Sequence, residues 1–207
     1  MMRSVTLPLS ASRFGVSDAE YANATACYRE GFRQYHTLGH AGDVLVYAEA
    51  HPRFMDHGVD RDAVRRAVLW HDAVYVPGDA DNERRSADRA VAWIESDELA
   101  AAVTDAIMST THDWQGHREP TSPVAAIVAD ADLAGLAEPA DAHRMNAAAI
   151  RAEFAAVGVT DKQWRAGRSA WIARMVERRW LFTDASWEAV KGEAARENLR
   201  RELVDLG

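Results

Sequence analysis

The chain has 207 residues, 48% of them hydrophobic, and a formal net charge of −8 at pH 7. This length and composition suit one compact globular domain over residues 1–207. The acidic balance argues against a partner that is a nucleic-acid polymer, because proteins that bind one usually carry a basic surface. Without a run of about 18 apolar residues or a signal-peptide pattern, we expect no membrane span. A single cysteine, Cys27, leaves no internal disulfide, so we expect a cytoplasmic protein.

The predicted elements, in chain order, are all helices. Capping side chains mark most of their starts, and Gly or Pro follows several of their ends. No segment shows the period-two alternation of a β-strand. The sequence therefore predicts an all-α bundle of about eight to nine helices. We expect these helices over about 17–35, 37–51, 60–75, 79–96, 97–112, 123–133, 141–157, 160–182 and 186–203.

The segment RRAVLWHDAVYVPGD, residues 65–79, reads as a helix that is apolar on nearly every side. It nevertheless contains His71 and Asp72. Burying an unpaired carboxylate is very unfavourable, so this pair needs a partner, either protein hydrogen bonds or a metal ion. A second His-Asp pair, His112-Asp113, lies at a helix end before a polar loop and raises no such problem.

Two other apolar segments carry the same residue types. His36 and His40 in YHTLGH are four residues apart and would share one helix face, and Asp130 and Asp132 lie in VADADL. Each of the three helices would bring polar side chains into the core. One divalent cation could be the shared partner of these side chains. Imidazole and carboxylate ligands favour Mn, Fe, Co, Ni, Zn or Mg over a thiolate-type site.

The spaced pattern of His40, His71-Asp72 and Asp132 resembles the H…HD…D signature of the HD-domain metal-dependent phosphohydrolases. The segments YHTLGH, WHDAVY, DNERRSA, TTH, ADADL and AARENLRREL are also similar to bacterial predicted HD-superfamily phosphohydrolases. The resemblance implies an HD-like bundle with its signature core at about 30–135 and C-terminal helices, about 139–207, packed on it. It also implies one divalent metal ion held by His40, His71, Asp72 and Asp132. His36 competes with His40 in this alignment, and Asp130 with Asp132; we favour His40 and Asp132.

The resemblance implies hydrolysis of a small phosphate ester or anhydride, such as a nucleotide, by metal-activated water. Asp72 would also orient that water, Glu83 would orient or deprotonate it, and His112 would bind phosphate or act as a general acid. A small phosphorylated molecule is thus the expected partner, and a homo-oligomer is a further expectation. Two other interpretations stay open: an HD-like di-iron oxygenase, and a non-catalytic metal-stabilised ligand-binding module. Candidate arginines for a phosphate clamp are Arg118, Arg144, Arg151 and Arg168.

Overall fold

The computed structural model describes residues 8–111, 120 and 122–207. Over these residues the chain forms ten α-helices, one 3-10 turn and no β-strand, which confirms the predicted all-α bundle. The short first helix is the one that the sequence did not indicate. The elements are α1 (Ala11–Phe14), α2 (Asp18–Cys27), α3 (Leu38–Ala50), α4 (Arg61–Trp70), α5 (Asn82–Val91), α6 (Asp97–Ser109), α7 (Pro123–Leu133), the 3-10 turn (Ala134–Ala137), α8 (Ala140–Ala156), α9 (Asp161–Glu177) and α10 (Ala185–Leu206).

Side-chain caps start many of these helices, as the sequence indicates. Asp60, rather than Asp62, caps α4 by accepting hydrogen bonds from two backbone N–H groups. Thr160 and Gln163 form a complete capping box at α9. At α2 only the Ser17 half of the predicted box forms, because the Glu20 carboxylate is buried and accepts hydrogen bonds from Arg66 instead.

Four helices, α2, α4, α5 and α9, end five or more residues earlier than predicted, and the end of α4 changes the setting of the His-Asp pair. Helix α2 stops at Cys27 instead of about Tyr35, and α4 stops at Trp70 instead of Tyr75. His71 and Asp72 therefore lie in the turn that follows α4, not inside a helix.

Side chains from elsewhere in the fold satisfy the backbone groups that these segments would otherwise pair within a helix. The buried guanidinium of Arg33 donates from Nη1 to the carbonyl oxygens of His36 (2.9 Å) and Asp72 (2.8 Å). The Ser86 hydroxyl accepts a hydrogen bond from the Val74 N–H at 3.0 Å. Tertiary hydrogen bonds thus hold the turn after α4 in place of helical ones.

The core consists of two hydrophobic clusters that meet at α7. The larger cluster surrounds α4, and its fully buried members include Trp70, Leu45 and Ile107. The smaller cluster joins the 3-10 turn to the last two helices, and the last residue of α7, Leu133, belongs to it. Asp132 therefore lies where the two clusters adjoin. In the described part of the chain, no helix has the length and apolar character needed to cross a bilayer.

A buried ionic group ties α8, α9 and α10 together. The Glu202 carboxylate lies 2.8 Å from His143 Nε2 and accepts hydrogen bonds from Arg168 at 2.7 and 3.1 Å. Burial alone would raise the pKa of Glu202, but the hydrogen bonds from His143 and Arg168 lower it to about 2. A carboxylate with a lowered pKa stabilises the folded state above its ordinary pKa, and this contribution is lost as the pH falls towards the folded value.

We therefore expect the stability advantage of the wild type over Glu202→Gln to shrink on acidification. Between about pH 6 and about pH 2.5, a shift of this size corresponds to a loss of roughly 2–3 kcal/mol. Urea unfolding of both proteins at the two pH values measures this difference. An advantage that is the same at both pH values would show that Glu202 does not carry it as a carboxylate.

Candidate metal centre

Four side chains from three segments converge at the end of α4. His40 lies in the first turn of α3, His71 and Asp72 follow α4, and Asp132 lies in the last turn of α7. His40 Nε2 is 3.2 Å from Asp132 Oδ1 and 3.6 Å from Asp72 Oδ2. His71 Nε2 is 3.0 Å from Asp72 Oδ2 and 3.6 Å from Asp132 Oδ1. The four residues predicted from the sequence are thus brought together.

The orientation of His71 leaves one of its ring nitrogens without a hydrogen bond. Its Nδ1 donates to the carbonyl oxygen of Val68 at 2.9 Å, so Nε2 carries the lone pair when the ring is neutral. His71 Nε2 and Asp72 Oδ2 are both buried, and neither has a hydrogen-bond partner of acceptable geometry. Two buried electron-rich atoms 3.0 Å apart are unfavourable without a positive charge that both can share. This arrangement fits a divalent cation.

The pKa shifts of His71 and Asp72 also indicate a site for positive charge. Burial alone would lower the pKa of His71, but the carboxylates of Asp72 and Asp132 raise it well above its ordinary value. Burial would raise the pKa of Asp72, yet the charges of His71, His36 and His40 hold it below its ordinary value. The site therefore favours bound positive charge, either a proton on His71 or a metal ion in its place. His40, His71 and Asp72 each offer a ligand atom within 4.8 Å of the others, so one ion could reach all three.

The structure separates the two pairs that the sequence left ambiguous. His36 turns its Nδ1 to Glu153 Oε2 at 2.6 Å, away from the four-residue cluster. Asp130 is buried on the other side of α7, where it accepts hydrogen bonds from the backbone N–H groups of Thr183 (2.6 Å) and Asp184 (2.9 Å). His40 and Asp132 therefore complete the cluster, and the two alternatives have partners of their own.

None of the other predicted site residues that the structure describes belongs to this cluster. Glu83 is half-buried in the first turn of α5 and is not in the group of residues that could share one ion. His112 and Arg118 lie outside the described residues. The remaining candidate arginines form ion pairs elsewhere: Arg144 with Asp141, Arg151 with Asp161, and Arg168 with Glu202.

A cavity of about 470 Å³ opens beside His40 and Asp132. Its wall includes two further carboxylates, Asp43 and Glu138, and the Glu138 carboxylate accepts a hydrogen bond from Tyr47. Amides also line it, and no lysine or arginine does so among the residues that the structure describes. His40 and Asp132 are the two members of the cluster that line this cavity.

Two residues that support the cluster escaped the sequence analysis. Arg33, in the part of the predicted 17–35 helix that does not form, is buried and holds the backbone of His36 beside that of Asp72. Glu153, in α8, has a fully buried side chain that faces His36. No local pattern marks either one, because their partners lie 39 and 117 positions away.

Comparisons with protein-family models, curated proteins and solved structures give no match for this chain. The similarity to HD-domain phosphohydrolases therefore depends on the motif residues and remains a prediction.

Proposed function

We propose that this chain is a metal-dependent phosphohydrolase whose single divalent ion is held by His40, His71, Asp72 and Asp132. The observation that carries the proposal is the buried contact between His71 Nε2 and Asp72 Oδ2, which has no hydrogen-bond partner in the described protein. A purely structural His-Asp pair would be expected to satisfy these two atoms.

A bound divalent ion would lower the pKa of a coordinated water and polarise a phosphoryl oxygen. The protein's own contribution is positioning. The Val68 carbonyl fixes the ring of His71, as an outer hydrogen bond typically does for a ligating histidine. The Arg33 guanidinium fixes the backbone of Asp72, whose carboxylate we assign to orient the attacking water.

The cavity favours a phosphate monoester over an anhydride as the substrate. A polyphosphate chain in the cavity would face the carboxylates of Asp43 and Glu138, and like charges at short range repel. A neutral or cationic organic group avoids this repulsion and can use the amides and hydroxyls of the wall. We therefore propose a small monoester, such as a nucleoside or sugar monophosphate.

The geometry bears differently on the two rival interpretations. A di-iron oxygenase of this type needs further histidine ligands, whereas two imidazoles, those of His40 and His71, reach the cluster in the described residues. A non-catalytic ligand-binding module would hold the same ion and could bind its ligand in the same cavity. Turnover separates that interpretation from ours.

The test is a phosphate-release assay on metal-free protein reconstituted separately with Mn²⁺, Co²⁺, Ni²⁺ and Mg²⁺. Monoesters and the corresponding diphosphates are compared as substrates. We expect metal-dependent release of phosphate that is faster from monoesters. A folded, metal-loaded protein that hydrolyses neither class would contradict the proposed function, and oxygen uptake with two bound irons would favour the oxygenase.

A further inference from the structure

Tyr35 brings a phenolic hydroxyl to the cavity beside the metal cluster. Its side chain is half-buried and lines the cavity together with His40 and Asp132. Gly135 also lines the cavity and follows Asp132 by three positions, and a Cβ atom at Gly135 would lie 3.6 Å from the Tyr35 hydroxyl oxygen. The hydroxyl therefore lies at the cavity wall, beside the turn that follows Asp132.

The ring that carries this hydroxyl is held by its neighbours. The ring centroid of Tyr35 is 4.6 Å from that of His40 and 4.9 Å from that of His36, which meets it edge-on. The backbone N–H group of Tyr35 donates to Glu153 Oε1 at 2.7 Å. These contacts restrict the rotation of the ring and keep it against His40, a proposed metal ligand.

The Tyr35 hydroxyl makes no hydrogen bond within the part of the chain that the structure describes. Other tyrosines do: the Tyr28 hydroxyl donates to the carbonyl oxygen of Leu69 at 2.8 Å, and the Tyr47 hydroxyl donates to the Glu138 carboxylate. A phenol has an ordinary pKa of about 10 and carries its proton at neutral pH. Tyr35 can therefore offer a neutral donor to a ligand in the cavity.

The charges of the cavity indicate which ligand atom would accept this hydrogen bond. Asp43 and Glu138 line the cavity, and no lysine or arginine does so among the described residues. An anionic phosphoryl group beside His40 and Asp132 would thus meet no cationic side chain of the described wall, and a neutral donor is the group that can bind it. A hydrogen bond to an ionised acceptor is also stronger than one between neutral groups.

We propose that the Tyr35 hydroxyl donates a hydrogen bond to a non-bridging phosphoryl oxygen of the substrate. The inference rests on the proposed function, because the metal ion must hold the phosphoryl group beside His40 and Asp132. Tyr35 transfers no proton in this role. It binds an oxygen that carries negative charge, as arginine commonly does in phosphate sites.

The test is Tyr35→Phe, which removes one oxygen atom and keeps the ring that packs on His40. Inorganic phosphate is titrated into the metal-loaded protein by calorimetry, and kcat/KM is measured with a monoester. We expect the Kd of phosphate to rise and kcat/KM to fall, each by roughly 10- to 100-fold, because a hydrogen bond to a charged acceptor is lost. Metal content and melting temperature should stay as in the wild type.

Tyr21→Phe is the matched control. Tyr21 lies in α2, where its ring stacks on Phe14 at a centroid distance of 6.0 Å, and it is not among the residues that line the cavity. This variant should bind phosphate and turn over the monoester as the wild type does. A Tyr35→Phe protein that behaves like the control would overturn the inference and leave the proposed function standing.

The remaining outcomes separate the inference from the proposed function. Loss of the metal or of the fold in Tyr35→Phe would overturn the inference, because the hydroxyl would then support the protein and not the substrate. A wild type that hydrolyses no monoester, yet binds phosphate less tightly after Tyr35→Phe, would contradict the proposed function and support phosphate binding by Tyr35. A wild type that neither hydrolyses a monoester nor binds phosphate would overturn both.

Discussion

We expect Asp72→Ala to lose its bound metal and to lower kcat by roughly 10³-fold or more. Asp72 contributes the oxygen that lies 3.0 Å from His71 Nε2 and 3.6 Å from His40 Nε2. Its removal takes away one of the two carboxylates that lie near both imidazoles, the other being that of Asp132. Elemental analysis and the phosphate-release assay on the same preparation measure the two effects. Added metal should raise the melting temperature of the wild type and leave that of the variant unchanged.

Asp81→Ala is the matched control for Asp72→Ala. Asp81 lies nine positions further along the chain, and its exposed carboxylate pairs with Arg84 on the surface. The same change at this position should leave metal content, kcat and the metal-dependent rise in melting temperature as in the wild type. An Asp72→Ala protein that behaves like this control would mean that Asp72 is not part of a metal centre.

The second large effect is expected for Asp130→Ala, which should lower the stability of the fold and leave the bound metal in place. The buried Asp130 carboxylate accepts hydrogen bonds from the backbone N–H groups of Thr183 and Asp184, which precede α10, and lies 3.3 Å from His51 Nε2. Asp130→Ala would remove the acceptor of these two partly buried backbone N–H groups and the carboxylate beside the buried His51 ring. We expect the free energy of unfolding to fall by about 3–5 kcal/mol, measured by urea unfolding.

Asp132→Ala provides the comparison, because Asp132 is two positions away on the same helix and lies in the metal cluster. We expect this variant to lose metal and to be destabilised less than Asp130→Ala when both are compared without metal. Folded Asp130→Ala protein should still bind the ion. The reverse pattern, with metal lost from Asp130→Ala and the larger loss of stability in Asp132→Ala, would show that Asp130 and not Asp132 is the ligand.

The fold class could be predicted because its signals are local. Caps such as Asp60 and the Thr160–Gln163 box act within three residues of the helix start, and they form as the sequence indicates. The ends of α2 and α4 could not be predicted in the same way. They depend on Arg33, whose guanidinium meets the carbonyl of Asp72 39 positions away, and such a contact leaves no mark in a local pattern.

The members of the site could be proposed from sequence because a histidine and a carboxylate among apolar residues raise an energetic problem wherever they are buried. The choice between neighbours could not be made from that signal. His36 and His40 both follow the pattern, and only the position of Glu153, 117 residues from His36, assigns His36 to a different partner. Asp130 and Asp132 are likewise distinguished by Thr183, which is remote in sequence.

The measurement that tests the central claim most directly is the metal content of wild-type protein prepared without a metal-affinity tag. We predict about one divalent ion per chain, bound by His40, His71, Asp72 and Asp132. Within this cluster, His71 Nε2 and Asp72 Oδ2 are the buried atoms that lack hydrogen-bond partners. Folded wild-type protein that holds no divalent ion, even after reconstitution with each candidate metal, would contradict the account. The His71-Asp72 contact would then be an internal ion pair with the proton on His71.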